Sequence, residues 1–193
     1  MKHIHCTRRG AALCALLACL LCLCACGARV EGKYKNANSS ATYEFTIGDT
    51  AGCDYGGTAL YDWNHERDCT WKVKGATLYI DGKEHILDGS RFIEKDSRCS
   101  KMKLTDNGTH VTGSVNLEAF YKQNYYENVV FSEDGTFERT TANLNLKTIL
   151  GSTPDYYVTK GQYYIQGDVL VAGESYRFAI HDGKTYGNWF EKQ

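Results

Sequence analysis

The densest group of side chains able to do chemistry is the run Tyr61-Asp62-Trp63-Asn64-His65-Glu66-Arg67-Asp68-Cys69. His65 with Glu66 or Asp68 could serve as an acid–base pair, because a neighbouring carboxylate tunes an imidazole for proton transfer near neutral pH. His65 and Cys69 could instead be two ligands of a metal ion. Both chemistries need a third orienting group and a pocket, and nothing else in the sequence suggests either. The favoured reading is a solvated hairpin loop with its charges in water. His85, His110 and His181 stand singly beside turns, without the paired spacing of a metal site. No Gly-x-Ser-x-Gly elbow and no phosphate-binding loop occurs. No catalytic residue, metal or cofactor is therefore assigned.

The tyrosines offer binding rather than catalysis. Tyr125-Tyr126, Tyr156-Tyr157 and Tyr163-Tyr164 are adjacent pairs, and neighbours on a strand point to opposite faces. One member of each pair would face outward or into a barrel lumen. Exposed Tyr suits stacking on sugars, peptides or other rigid partners at little entropic cost. The competing reading, ordinary strand packing with the hydroxyl reaching water, carries more weight.

These residues need strands to position them. The punctuation along the chain is Gly, Asp-Gly and Asn-Gly, and the runs between alternate. Trp71–Leu78 and the residues up to Asp81-Gly82 read as two period-two strands around a tight turn. Val129–Phe137 is a hairpin with Asp134-Gly135 at its tip, and Tyr176–Tyr186 repeats the device at Asp182-Gly183. Helical periodicity is nearly absent, and Val115–Tyr121, the one ambiguous stretch, reads as strand. There is also an internal echo. Tyr43-Glu-Phe45 resembles Val129-Val-Phe131, and Trp71…Gly75…Leu78 resembles Tyr163…Gly167…Leu170. The fold class is all-β: antiparallel meanders of tight hairpins forming a barrel or curled sheet. The echo divides it into two related meanders, 32–104 and 109–193, although any glycine-punctuated meander shows some self-similarity.

The amino terminus is different in kind. Lys2, Arg8 and Arg9 precede an uncharged run over 10–25, which describes an export signal. The run is shorter than the roughly 20 apolar residues of a membrane span. Leu23-Cys24-Ala25-Cys26-Gly27 resembles the lipobox of bacterial lipoproteins. The resemblance implies a diacylglycerol thioether on Cys26, cleavage before it, and usually acylation of the new amino terminus. Residues 1–25 are then a signal peptide, 26–31 a short membrane-proximal linker and 32–193 the β domain. The mature protein would lie on the outer face of the cell membrane. Losing residues 1–25 removes three of the 22 basic residues and none of the 23 acidic ones, leaving a formal charge of −4. That balance opposes binding to nucleic acid or anionic lipid headgroups.

The order of turn cues resembles small lipocalin-like or calycin-like β domains of bacterial lipoproteins. The carrying residues are Gly32-Lys33-Tyr34, Phe131-Ser-Glu-Asp134-Gly135-Thr-Phe137, Gly161-Gln-Tyr163-Tyr-Ile165-Gln-Gly167 with Leu170, and the late Trp189. The second half matches best; in the first, Gly48-Asp49 replaces Asp-Gly. The resemblance implies a fold and little about activity.

Cys53, Cys69 and Cys99 follow Cys26, and a disulfide is allowed outside the membrane. Strands at 58–63, 69–74, 77–80, 84–87, 91–94 and 99–104 reverse at each tight turn. That parity puts Cys69 and Cys99 at one end of the sheet, Cys53 at the other. Cys69–Cys99 is then the better bridge, one misread turn would favour Cys53–Cys99, and three buried free thiols remain the alternative.

Function divides three ways. A non-catalytic module binding a small ligand, a glycan or an envelope protein is favoured. A structural or inhibitory envelope protein is the first alternative, and an enzyme using the His65 loop the second. A filled core would favour the structural role; paired carboxylates or a histidine triad in a pocket would favour the enzyme. The anchor is testable directly: Cys26→Ala should release the protein from membranes and abolish metabolic fatty-acid labelling. Unchanged labelling and fractionation would contradict the lipobox.

Overall fold

The computed structural model describes residues 30–51, 54–63, 65–117, 126–143, 155–174 and 176–193. The expectations for Cys26, Cys53, Tyr125 and the leader fall outside these residues.

The alternating runs become strands, and their boundaries lie where the turn residues put them. The first meander comprises β1 (Gly32–Asn36), β2 (Thr42–Ala51), β3 (Asp54–Trp63), β4 (His65–Lys74), β5 (Thr77–Ile80), β6 (Lys83–Asp88) and β7 (Arg91–Glu94). After a three-residue 3-10 turn at Lys95–Ser97 come β8 (Met102–Leu104), β9 (Val111–Asn116), β10 (Tyr126–Phe131) and β11 (Thr136–Asn143). The chain ends with β12 (Asp155–Gln166), β13 (Val169–Ala172), β14 (Tyr176–His181), β15 (Lys184–Tyr186) and β16 (Trp189–Lys192). The turns Asp81-Gly82 and Asp182-Gly183 have positive φ at both residues. That is the geometry whose twist matches the strands it joins.

All pairings are antiparallel. β1 to β7 form a barrel closed by β16, which sits between β7 and β1. β8 to β15 form a second eight-stranded sheet. Its ends approach one another: Cys99 N–H donates to the Thr185 carbonyl at 2.9 Å and Gly187 N–H to the Ser97 carbonyl at 2.9 Å. Each meander of seven strands is thus completed by the strand that follows the other. β8, after the first meander, flanks β9 of the second, and β16, after the second, closes the first. The division at 32–104 and 109–193 is corrected accordingly, because Met102–Leu104 pairs with β9 and Trp189–Lys192 returns to the first barrel.

The echo in sequence is an echo in place. Phe45 faces Ala59 across the β2–β3 ladder as Phe131 faces Phe137 across β10–β11. Trp71 lies opposite Gly57, and Tyr163 donates its backbone N–H to Gly135. Both rings reach back over the glycine to backbone. The Trp71 indole donates to the carbonyls of Thr58 and Thr46 at 2.9 and 3.2 Å. The Tyr163 hydroxyl accepts from Val111 N–H at 3.0 Å and lies 2.7 Å from the Ser132 carbonyl. A side chain at Gly57 would come within 2.0 Å of the Thr46 carbonyl oxygen, so the close approach of β2 and β3 requires glycine there.

Two cores result. Tyr34, Phe45, Trp71, Leu78 and Phe92 fill the first barrel; Val111, Phe131, Phe137, Leu170 and Phe178 fill the second. Cys69 belongs to the first core and Cys99 to the second, both as free thiols. The Cys69–Cys99 bridge is therefore not made. The strand parity was right as far as β7, but the chain then crosses to the other sheet. Burial pushes the Cys69 thiol up to about 11 and the Cys99 thiol up to about 12.

Between the sheets a seam forms from Ile93, Ala179, Tyr186 and Trp189. Arg91 crosses it, donating to the carbonyls of Asp168 and Ile180 while Asp88 holds its Nε at 2.8 Å. Asn38 exchanges hydrogen bonds with the Arg177 backbone at 2.7 and 2.8 Å.

The repeat makes a packing prediction. Ala59 and Cys69 face each other in the first barrel where Phe137 and Gly161 face in the second. A side chain at Gly161 would meet the Phe137 ring at 2.6 Å. Gly161→Cys should cost about 2–3 kcal/mol by overpacking, and Phe137→Ala about 3–5 kcal/mol by the cavity it leaves. The double variant should lose less than the sum by about 1–3 kcal/mol, measured by urea unfolding. Strict additivity would mean the two positions are not a compensating pair.

Candidate functional site

The face that fills the first barrel continues to its open end. On β2, Tyr43 lies two residues before Phe45; on β7, Glu94 lies two residues after Phe92; on β6, His85 lies two before Leu87. Period two therefore puts Tyr43, Glu94 and His85 on the lumen side. There they meet Tyr61 and Trp63 from β3, Arg67 from β4, Ile80 and Asp81 at the end of β5, and Lys83. Asn188 and Phe190 come from the closing strand region. Together they line a cavity of about 440 Å³. A side pocket of about 50 Å³ adjoins it beside Asn36, Ser39 and Ala41.

Aromatic rings form the wall. Tyr43 lies 4.6 Å from Tyr61 and 5.1 Å from Phe190, centroid to centroid. Phe92 stacks on Phe190 at 4.8 Å and closes the floor. Trp63, 40 % exposed, stands at the rim. Burial raises the hydroxyls of Tyr43 and Tyr61 above their ordinary range, keeping them neutral donors.

The charges divide by depth. At the rim, Arg67 pairs with Asp81 at 3.2 Å and lies over the Tyr61 ring. Asp81 is held low by the Thr70 backbone N–H, which donates to it at 2.8 Å. Further in, the Asn188 side chain donates to Glu94 and accepts from Asn36 Nδ2 at 2.5 Å. Ser97 Oγ in turn receives Asn188 N–H at 3.0 Å, so the carboxylate is fixed by a chain of amides. His85 is 5 % exposed, its Nδ1 3.0 Å from the Lys83 carbonyl, and burial depresses its basicity.

The candidates read from sequence fare differently. His65, Glu66 and Asp68 are exposed on β4, away from one another's chemistry. His65 and Cys69, four residues apart on a strand, are separated by about 13 Å. Among the described residues no three His, Cys, Asp or Glu side chains gather as a metal site would require. The same run nevertheless supplies Tyr61, Trp63 and Arg67 to the cavity. Tyr163 is buried and held to backbone, with Tyr164 exposed beyond it, the expected split of a pair. Tyr156 and Tyr157 are both 59 % exposed. They lie on the part of β12 that pairs with β11 alone, because pairing with β13 begins at Tyr163. Tyr126 begins β10, paired with Ala142. Tyr156, Tyr157, Tyr163 and Tyr164 do not line the cavity. Those that do, Tyr43 and Tyr61, are found by counting in twos from Phe45 and Ala59.

The second barrel fills the same place differently. Glu127, 2 % exposed, pairs with Arg139 Nε at 2.5 Å and accepts from the Tyr176 hydroxyl. Across the ladders, Arg139 occupies the position of Tyr61, and Glu127 that of Ala41. A buried ion pair stands where the first barrel is open.

Comparison of the chain with protein-family models, with curated proteins and with solved structures returns no match.

His85 generates a pH prediction. Unfolded, it titrates near 6.5; folded, its pKa is lower. Below 6.5 the unfolded chain takes up a proton that the native state refuses, so stability falls as pH falls. Above 6.5 both states are neutral and the contribution is intact. His85→Phe, which places in the first barrel the residue that Phe178 supplies in the second, should flatten this acid slope in urea unfolding. An unchanged slope would mean that His85 takes up its proton alike in the folded and unfolded chain.

Proposed function

We propose that this protein is a lipid-anchored, non-catalytic binding protein of the bacterial cell envelope, taking a small ligand or the end of a glycan into the mouth of its first barrel. The observation that carries this reading is the cavity itself. It combines aromatic walls with a few fixed polar groups, the composition typical of ligand sites. Its carboxylate is held by amides and its histidine is buried neutral, an arrangement suited to holding a molecule in place.

The placement of the anchor supports it. β1 begins at Gly32, opposite Phe45 deep in the barrel, and ends at Asn36, which bonds to Asn188 at the mouth. A lipid on Cys26 would attach through residues 26–31, which extend about 20 Å at most. The opposite end of the barrel then faces the bilayer and the mouth faces away from it.

The second barrel supplies the control. Ala41→Glu with Tyr61→Arg would build into the first mouth the pair that fills the second. Ligand-observed NMR with the full-length chain and a panel of small sugars, amines and amino acids should find binding that this double variant abolishes while its melting temperature stays close to wild type. Binding that survives in the plugged variant would place the site elsewhere.

A further inference from the structure

We propose that the group the first barrel takes is an organic ammonium ion. The inference rests on the cavity being the ligand site and names what fits it. Three observations lead there.

The first is Glu94. Its side chain is partly buried on the lumen side of β7, and the hydrogen bond that holds it comes from the neutral amide of Asn188. None of the ion pairs among the described residues involves it. Its negative charge is felt by Tyr43, Tyr61 and His85 across the cavity. A cation bound beside this carboxylate would gain a charge-assisted contact that the neutral amide does not supply.

The second is the wall. Tyr43, Tyr61 and Phe190 present rings to the same space, with Trp63 at its edge. Aromatic faces attract an ammonium through their quadrupoles, more strongly where water is excluded. Rings around a carboxylate make a box for a cation that a neutral sugar does not need.

The third is the arrangement of the protein's own cations. Arg67 is paired to Asp81 at the rim, and Lys83 is exposed there. Neither is paired with Glu94, so the inner charge of the cavity is negative. The second barrel offers the comparison within one chain: there the buried carboxylate, Glu127, is already neutralised by Arg139. The first barrel has Ala41 and Tyr61 at those two positions, and its own carboxylate, Glu94, comes from β7 and is in none of these ion pairs.

The test uses choline and its neutral carbon isostere, dimethylbutanol, titrated calorimetrically into the full-length chain. Choline should bind saturably and the isostere about tenfold more weakly or worse, the difference being the charge. Glu94→Gln, which keeps the Asn188 hydrogen bond, should weaken choline about tenfold and leave the isostere unchanged. Equal binding of both compounds, or choline binding indifferent to Glu94→Gln, overturns the ammonium assignment. Absence of saturable choline binding overturns it too. If another compound still binds and the Ala41→Glu/Tyr61→Arg variant loses it, the cavity stands as the site and only the ligand class falls. Choline binding that persists in that variant removes the cavity as well.

Discussion

A strand with one unpaired side leaves a row of backbone donors and acceptors that must find partners. In this chain the seventh strand of each meander faces that problem, and the answer in both cases lies in the other half. β16 hydrogen-bonds to β7 on one side and β1 on the other. Ser97–Cys99, leading into β8, bonds to Thr185 and Gly187 beside β15. Neither ring can be completed from its own seven strands. The halves are therefore committed to each other by backbone pairing, and the side-chain seam follows from it. Trp189 opens the closing strand and buries its ring between the sheets; Arg91, on the strand it closes, spans to the other sheet's carbonyls.

The candidate site depends on the same exchange. Asn188 and Phe190 belong to the returning segment, yet they supply the amide that fixes Glu94 and the ring that faces Tyr43. A cavity lined by β2, β3, β4, β6 and β7 would be open on one side without them. The shape of the mouth thus depends on both halves of the chain, including Asn188 and Phe190.

Much of the fold was legible because its signals are local. Asp81-Gly82 and Asp182-Gly183 announce their turns, and the strands from Thr77 to Glu94 fall where alternation and glycine put them. The repeat was visible in Phe45 and Phe131, and in Trp71 and Tyr163, because each pair meets the same packing demand. The exchange of closing strands was not legible. Nothing about Trp189–Lys192 distinguishes a strand that pairs with its neighbour from one that returns to Gly32–Asn36. The failed Cys69–Cys99 pairing has the same root, since a turn at Lys95–Ser97 does not announce a change of sheet. The candidate site is half legible: Tyr61, Trp63 and Arg67 stand in the polar run, whereas His65 in the same run is exposed. Tyr156 and Tyr157 are both exposed because they lie on the stretch of β12 that pairs with β11 alone, which alternation cannot announce.

The difference between the two mouths is an argument about economy of change. Both barrels carry the same strand order and bury a large aromatic at matching lumen positions. Substituting Phe137 for Ala59 and Gly161 for Cys69 shifts volume across one ladder without altering the ladder. Substituting Glu127 for Ala41 and Arg139 for Tyr61 does more, because it places a pair of opposite charges at the open end. Where Glu127 would stand, the first barrel has a side pocket next to Ala41. A buried ion pair contributes little net stability once desolvation is counted, so the plug in the second barrel shapes the mouth more than it holds the fold. Two matching positions, Ala41 against Glu127 and Tyr61 against Arg139, therefore separate an open mouth from one occupied by an ion pair.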